Sequence, residues 1–144
     1  MIRRARSEEA AAVAALFRRS FGTLTFLPTL HTPAEDLEHF ERLIAEHELW
    51  VYELAGRLVG FASLDGNELS NLYVEPDVIG GGIGSALLDH AKARRPGGLG
   101  FWVFQENARA RRFYERRGCV LVELTDGSGN EERKPDARYE WTPG

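Results

Sequence analysis

The chain has 144 residues, a length that fits one domain spanning 1–144, and with 43% apolar and 28% charged residues it describes a globular protein burying roughly 68% of its unfolded surface. The longest apolar run, Ala10 to Phe17, falls far short of the ~20 residues that cross a bilayer, and the single cysteine, Cys119, excludes an internal disulfide framework and a cysteine-based metal cluster. A net charge of −4 argues against a dedicated nucleic-acid binder, and with neither a membrane span nor a clear leader the expected location is the cytoplasm.

Met1 to Ala5 reads as a short edge strand. Ser7 offers a hydroxyl cap, with Glu8 and Glu9 in the first turn, to a helix running to about Ser20. Phe21 to His31 mixes aromatics with Gly22 and Pro28 and follows neither period, so it reads as a long, partly apolar connection of the kind that covers ligands. Thr32-Pro33-Ala34-Glu35 is a capping box with proline at the first helical position, and Leu37, Phe40, Leu43 and Ile44 form the apolar stripe of a second helix ending near His47.

From Leu49 the period becomes two. Strands at Leu49–Leu54, Arg57–Leu64 and Glu68–Val74, parted by turns at Ala55-Gly56 and Asp65-Gly66-Asn67, predict an antiparallel meander. Pro76 and the glycines 80–82 break the chain, after which Ile83, Leu87 and Ala91 mark one face of a helix to about Arg95. Leu99–Phe104 reads as a strand, Asn107–Arg117 as a helix stopped by Gly118, and Cys119–Leu124 as another strand. A polar connection, Thr125–Pro135, leads to a closing strand at Ala137–Trp141. This order predicts an α/β (α+β) layer: a mixed, mostly antiparallel sheet of about seven strands flanked by about four helices.

Two segments carry chemistry. In Leu72-Tyr73-Val74-Glu75-Pro76-Asp77-Val78-Ile79-Gly80-Gly81-Gly82-Ile83-Gly84-Ser85 a strand meets a breaker and then glycines that open a helix. Free N–H groups and the positive dipole end at such a start attract an anion, and glycines let a diphosphate approach the backbone. A nucleoside-triphosphate P-loop would need a Gly-Lys-Ser/Thr that is missing, and a dinucleotide fingerprint would need a glycine where Leu87 stands. The stretch from Lys92 to Arg117 holds eight cations against two anions, a local excess that suits a polyanionic small ligand and equally suits solvated helix faces. In the second segment, Asn107, Ala110 and Tyr114 share one helical face. Tyr114 beside a leaving group could donate a proton to a thiolate, while the same spacing also suits a core aromatic.

In this order and at this separation the two segments resemble the GNAT superfamily of acetyl-coenzyme A-dependent N-acetyltransferases. Gly80 to Ser85 resembles the family's pyrophosphate loop, with Ile79 where a glutamine or arginine is usual, and Asn107 to Gly118 resembles its Asn-x-x-Ala-x-x-Phe-Tyr signature, with Cys119 for the final phenylalanine. The resemblance implies acetyl-CoA as acyl donor and no metal. Leu72, Tyr73 and Val74 would lie along the pantetheine arm, Ile79, Gly80, Gly81, Gly82, Ile83, Gly84 and Ser85 would cradle the diphosphate, and Asn107 would hold the arm or an adjacent backbone. Tyr114 would protonate the departing thiolate as the amine attacks directly in a ternary complex. Glu68 stands at a place like that of the catalytic glutamate in some members and is the candidate base, although a solvated residue after a turn is the simpler reading. His31, His39 and His47 recur every eight residues, a spacing that drifts ~80° per step on a helix, so they do not converge on a metal. The implied partners are acetyl-CoA and an unidentified amine, with homodimers common in the family. The rival reading is a non-catalytic acyl-CoA-binding sensor or interaction domain.

Overall fold

A computed structural model describes Met1 to Gly144. Its strands are β1 (Ile2–Arg4), β2 (Glu48–Leu54), β3 (Arg57–Asp65), β4 (Glu68–Val74), β5 (Leu99–Phe104), β6 (Val120–Leu124) and β7 (Asp136–Trp141). Its helices are α1 (Ala10–Phe21), α2 (Pro33–Glu46), α3 (Ile83–Arg94) and α4 (Ala108–Glu115). The strands form one sheet in the order β1-β2-β3-β4-β5-β7-β6. The mixed sheet and four helices expected from the sequence are therefore present, with one local correction. The first helix opens as a 3-10 turn at Ser7–Glu9, and its cap is the Glu9 carboxylate accepting from the Arg6 N–H at 2.8 Å rather than the Ser7 hydroxyl.

Apolar side chains pack on both faces of the sheet. Leu87, Leu88 and Ala91 of α3 and Tyr114 of α4 cover one face with Val59, Phe101, Val103 and Tyr139 beneath them, while Val13 and Leu16 of α1 and Phe40 of α2 cover Leu49, Val51 and Phe61 on the other. Each fully buried leucine or phenylalanine contributes about 1.5–3 kcal/mol by leaving water. Helix α3 reaches the sheet because position 60 is glycine: a Cβ there would stand 2.9 Å from Ile83 Cγ2 and 3.0 Å from Leu87 Cδ1.

All strand pairs are antiparallel except β4 with β5, which run parallel and pair at a single position, Glu68 with Gly100. Beyond it the two strands splay. Arg138 of β7 secures the closed end by lying across Gly100, where a Cβ would collide with its guanidinium, and giving two hydrogen bonds of 2.8 and 2.7 Å to the Glu68 carboxylate.

Candidate active site

The splay leaves the β5-facing edge of β4 without a neighbouring strand from Ser70 to Val74, so a row of peptide groups is free to pair with an extended ligand. Leu72 and Val74 face the α3–α4 side, and Tyr73 faces the α1–α2 side. At the end of β4 the buried Glu75 carboxylate accepts from Arg19 at 2.6 and 2.7 Å, which pins the last turns of α1 beside the opening.

The chain then runs through the glycines into α3. Gly82 caps the helix in a left-handed conformation, φ +85°, and its carbonyl accepts from the Ala86 N–H at 3.0 Å. The N–H groups of Gly82, Ile83, Gly84 and Ser85 have no partner in the protein. Together with the helix dipole they make an anion cradle. Arg117 leans over it from beyond α4: its Nε donates to Ser85 Oγ at 3.2 Å, Nη1 donates to the Phe113 carbonyl at 2.9 Å, and the guanidinium sits 3.9 Å from the Phe113 ring centre. This cation stands in the same cleft as Ile79, whose side chain offers no polar contact.

Helix α4 forms the far wall. Asn107 spends its side-chain oxygen on its own helix, accepting from the Ala110 N–H at 3.1 Å, which leaves the amide NH2 free. Tyr114 is 8% exposed, its ring 4.3 Å from that of Phe101, and its hydroxyl opens to the cleft with no hydrogen-bond partner in the protein. Burial pushes that hydroxyl well above the ordinary phenol range, with Tyr73 and Cys119 adding to the shift. It therefore keeps its proton through the ordinary pH range and stands in the cleft as a hydrogen-bond donor.

A cleft of about 390 Å³ brings these elements together. Of the residues expected to hold the donor it contains Leu72, Tyr73, Val74, Ile79, Gly80, Gly82, Ile83, Gly84, Ser85, Asn107 and Tyr114. Gly81 is the exception, because its N–H is turned away to the Val78 carbonyl at 3.2 Å. Glu68 also departs from expectation. It lies four residues upstream of Leu72, about 13 Å along the strand, outside the cleft, and its carboxylate is taken by Arg138. Ser20, Thr23, Leu24, Arg109 and Arg117 line the cleft without having been singled out as site residues. The cationic stretch contained the signal for the two arginines, the irregular segment Phe21–His31 that for Thr23 and Leu24, and nothing local marked Ser20.

On the other side of the opening the two irregular segments meet. Phe26 packs edge-on to Phe104 at 6.1 Å, and His31 Nε2 lies 2.7 Å from Glu131 Oε1, so Phe21–His31 and Thr125–Pro135 join over the tip of β5. No cluster of three or more histidine, cysteine, aspartate or glutamate side chains is placed to hold a metal ion, and no helix is long and apolar enough to cross a membrane.

Residues 45–118 match the family model described as an acetyltransferase (GNAT) domain. A peptidyl-lysine N-acetyltransferase, YjaB, of Salmonella typhimurium is 38% identical over 123 residues, 84% of this chain and 83% of that protein. The solution structure of apo-form YjaB from Escherichia coli superposes with a TM-score of 0.80 at 28% identity, covering 100% of this chain and 98% of that one. A PaiA N-acetyltransferase from Thermoplasma acidophilum, solved in complex with coenzyme A, shares the fold with a TM-score of 0.74 at 21% identity, covering 99% of this chain and 98% of that one.

Proposed function

The chain belongs to the GNAT acetyltransferase family, and from that premise we propose that it moves the acetyl group of acetyl-CoA onto the ε-amine of a lysine side chain in a peptide or protein. The observation that carries the reading is the opening between β4 and β5, which has an anion cradle at one end and a protonated, unpartnered phenol inside it. A donor laid along β4 with its diphosphate on Gly82 to Ser85 would bring a thioester to Tyr114. The peptide groups of β4 orient the arm and one of its N–H groups polarises the thioester carbonyl. The neutral amine attacks the carbonyl carbon, the carbon–sulfur bond breaks, the Tyr114 hydroxyl gives its proton to the leaving thiolate, and the proton shed by the acylated nitrogen returns through solvent to restore the phenol.

Lysine as acceptor is supported by the peptidyl-lysine N-acetyltransferases among the relatives. Glu68 is proposed as a structural residue rather than the base, because its charge is already matched by Arg138 at the closed end.

Calorimetric titration with acetyl-CoA, followed by thiol release against lysine peptides and a panel of small amines, tests the reading. Micromolar binding with lysine-dependent release is expected. Binding with no release from any amine would transfer the fold to a sensing role, and release from small amines alone would replace the acceptor.

A further inference from the structure

The acceptor's side of the opening contains a carboxylate with no internal task. Every other carboxylate shielded from solvent is held: Glu9 and Glu53 by Arg3, Asp36 by Arg18, Glu48 by Arg94 and Arg95, Glu75 by Arg19, Glu68 by Arg138, and Asp136 by Thr125 and Asn130. Glu132 is half-buried yet makes no hydrogen bond and no ion pair. It faces a cavity of about 530 Å³ that it lines with Trp102, Phe104, Asn130 and Asp136. Cavities walled by aromatic rings and carboxylates suit cations, since ring faces and anions attract the same charge.

The loop that presents Glu132 is built. Asn130 closes it by donating to the Lys134 carbonyl at 2.7 Å and to Asp136 Oδ2 at 3.1 Å, and by accepting from the Lys134 N–H at 3.2 Å. Arg133 is held at φ 54°, a conformation costly for a residue with a Cβ, so the backbone after Glu132 is fixed at an energetic cost. The His31–Glu131 contact ties the preceding residue to the opposite segment. Trp102 and Phe104 alternate along β5 with Phe101 and Val103, which face α3 and α4, so the cavity and Glu132 lie on the opposite side of the sheet, the side that Tyr73 faces.

We infer that Glu132 is the acceptor-binding residue, receiving the ammonium of the incoming amine in the cavity beside Trp102 and Phe104 before transfer. The inference rests on the transferase reading and names the group that selects a cationic acceptor. Such a contact is charge-assisted, and a neutral isostere keeps only its weaker hydrogen bond.

Steady-state thiol release with a lysine peptide, run on the wild type, Glu132→Gln and Glu132→Asp, tests it. Glu132→Gln should raise KM for the peptide at least about tenfold, leave kcat and the calorimetric acetyl-CoA affinity near wild type, and lose the increase of KM with salt. Glu132→Asp should recover most of the affinity. An unchanged peptide KM in Glu132→Gln, with the wild type turning over, overturns the role of Glu132 and leaves the transferase reading intact. Should the wild type accept a different cationic amine, the same comparison is made with that amine. Turnover with uncharged amines alone, or with none, removes the inference and the lysine acceptor together.

Discussion

Replacing Tyr114 by phenylalanine deletes an oxygen that no other group in the protein holds, so its effect should fall on the departing thiolate alone. Tyr114→Phe is expected to lower kcat by about 100-fold while leaving the acetyl-CoA dissociation constant within about twofold. The pH dependence has a definite sign. Burial raises the hydroxyl, so the acid form persists as pH climbs past the ordinary phenol value, and kcat of the wild type should hold its plateau to about pH 10. Stopped-flow thiol release between pH 7 and pH 10 checks this, and an alkaline loss centred within that range would count against Tyr114 as the acid. Tyr114 and Asn107 were legible in the sequence because a spacing of three and seven residues fixes a shared helical face whatever lies around it. The pairing of Glu68 was not legible for the opposite reason: its partner Arg138 is 70 residues away, and no local pattern shows that the two meet. Glu132 sat in a polar segment whose sequence carries no period, so only the folded loop reveals that its charge is unmatched.

Helix α3 carries the proposed diphosphate loop at its start, and its seat on the sheet is set by an absent side chain. Gly60→Ala places a methyl against Ile83 and Leu87, and overpacking of this kind costs about 1–3 kcal/mol. Urea denaturation should show a lower midpoint with an unchanged slope, and acetyl-CoA binding should weaken as the helix start moves off the strand end. The boundaries of the meander, α3 and β5 followed closely from period and turn residues, since a change from two to 3.6 is a local property. The start of α1 did not, because three acidic and hydroxyl residues at Ser7–Glu9 compete for one cap and a contact from Arg3 decides in favour of Glu9.

At the scale of the molecule, the parallel junction of β4 and β5 is a pivot secured by one register position and one ion pair. Glu68→Gln should cost no more than about 1 kcal/mol, as for other partly exposed pairs. Its pH–rate profile should keep the wild-type shape, and a lost acidic limb would restore Glu68 as the base. A mixed sheet was legible from the order of elements, whereas the insertion of β7 between β5 and β6 and the splay itself depend on pairings remote in sequence. On the proposed reading that splay would also couple abundance to metabolism. A sheet with a gap where one strand would lie would be finished by its own donor, and occupancy at a hundredfold excess over the dissociation constant would add about 2.7 kcal/mol to its stability. On the proposed reading, protection from hydrogen exchange along β4 and resistance to proteolysis should both rise and fall with acetyl-CoA, so that a cell poor in acetyl groups would clear the enzyme faster than one well supplied.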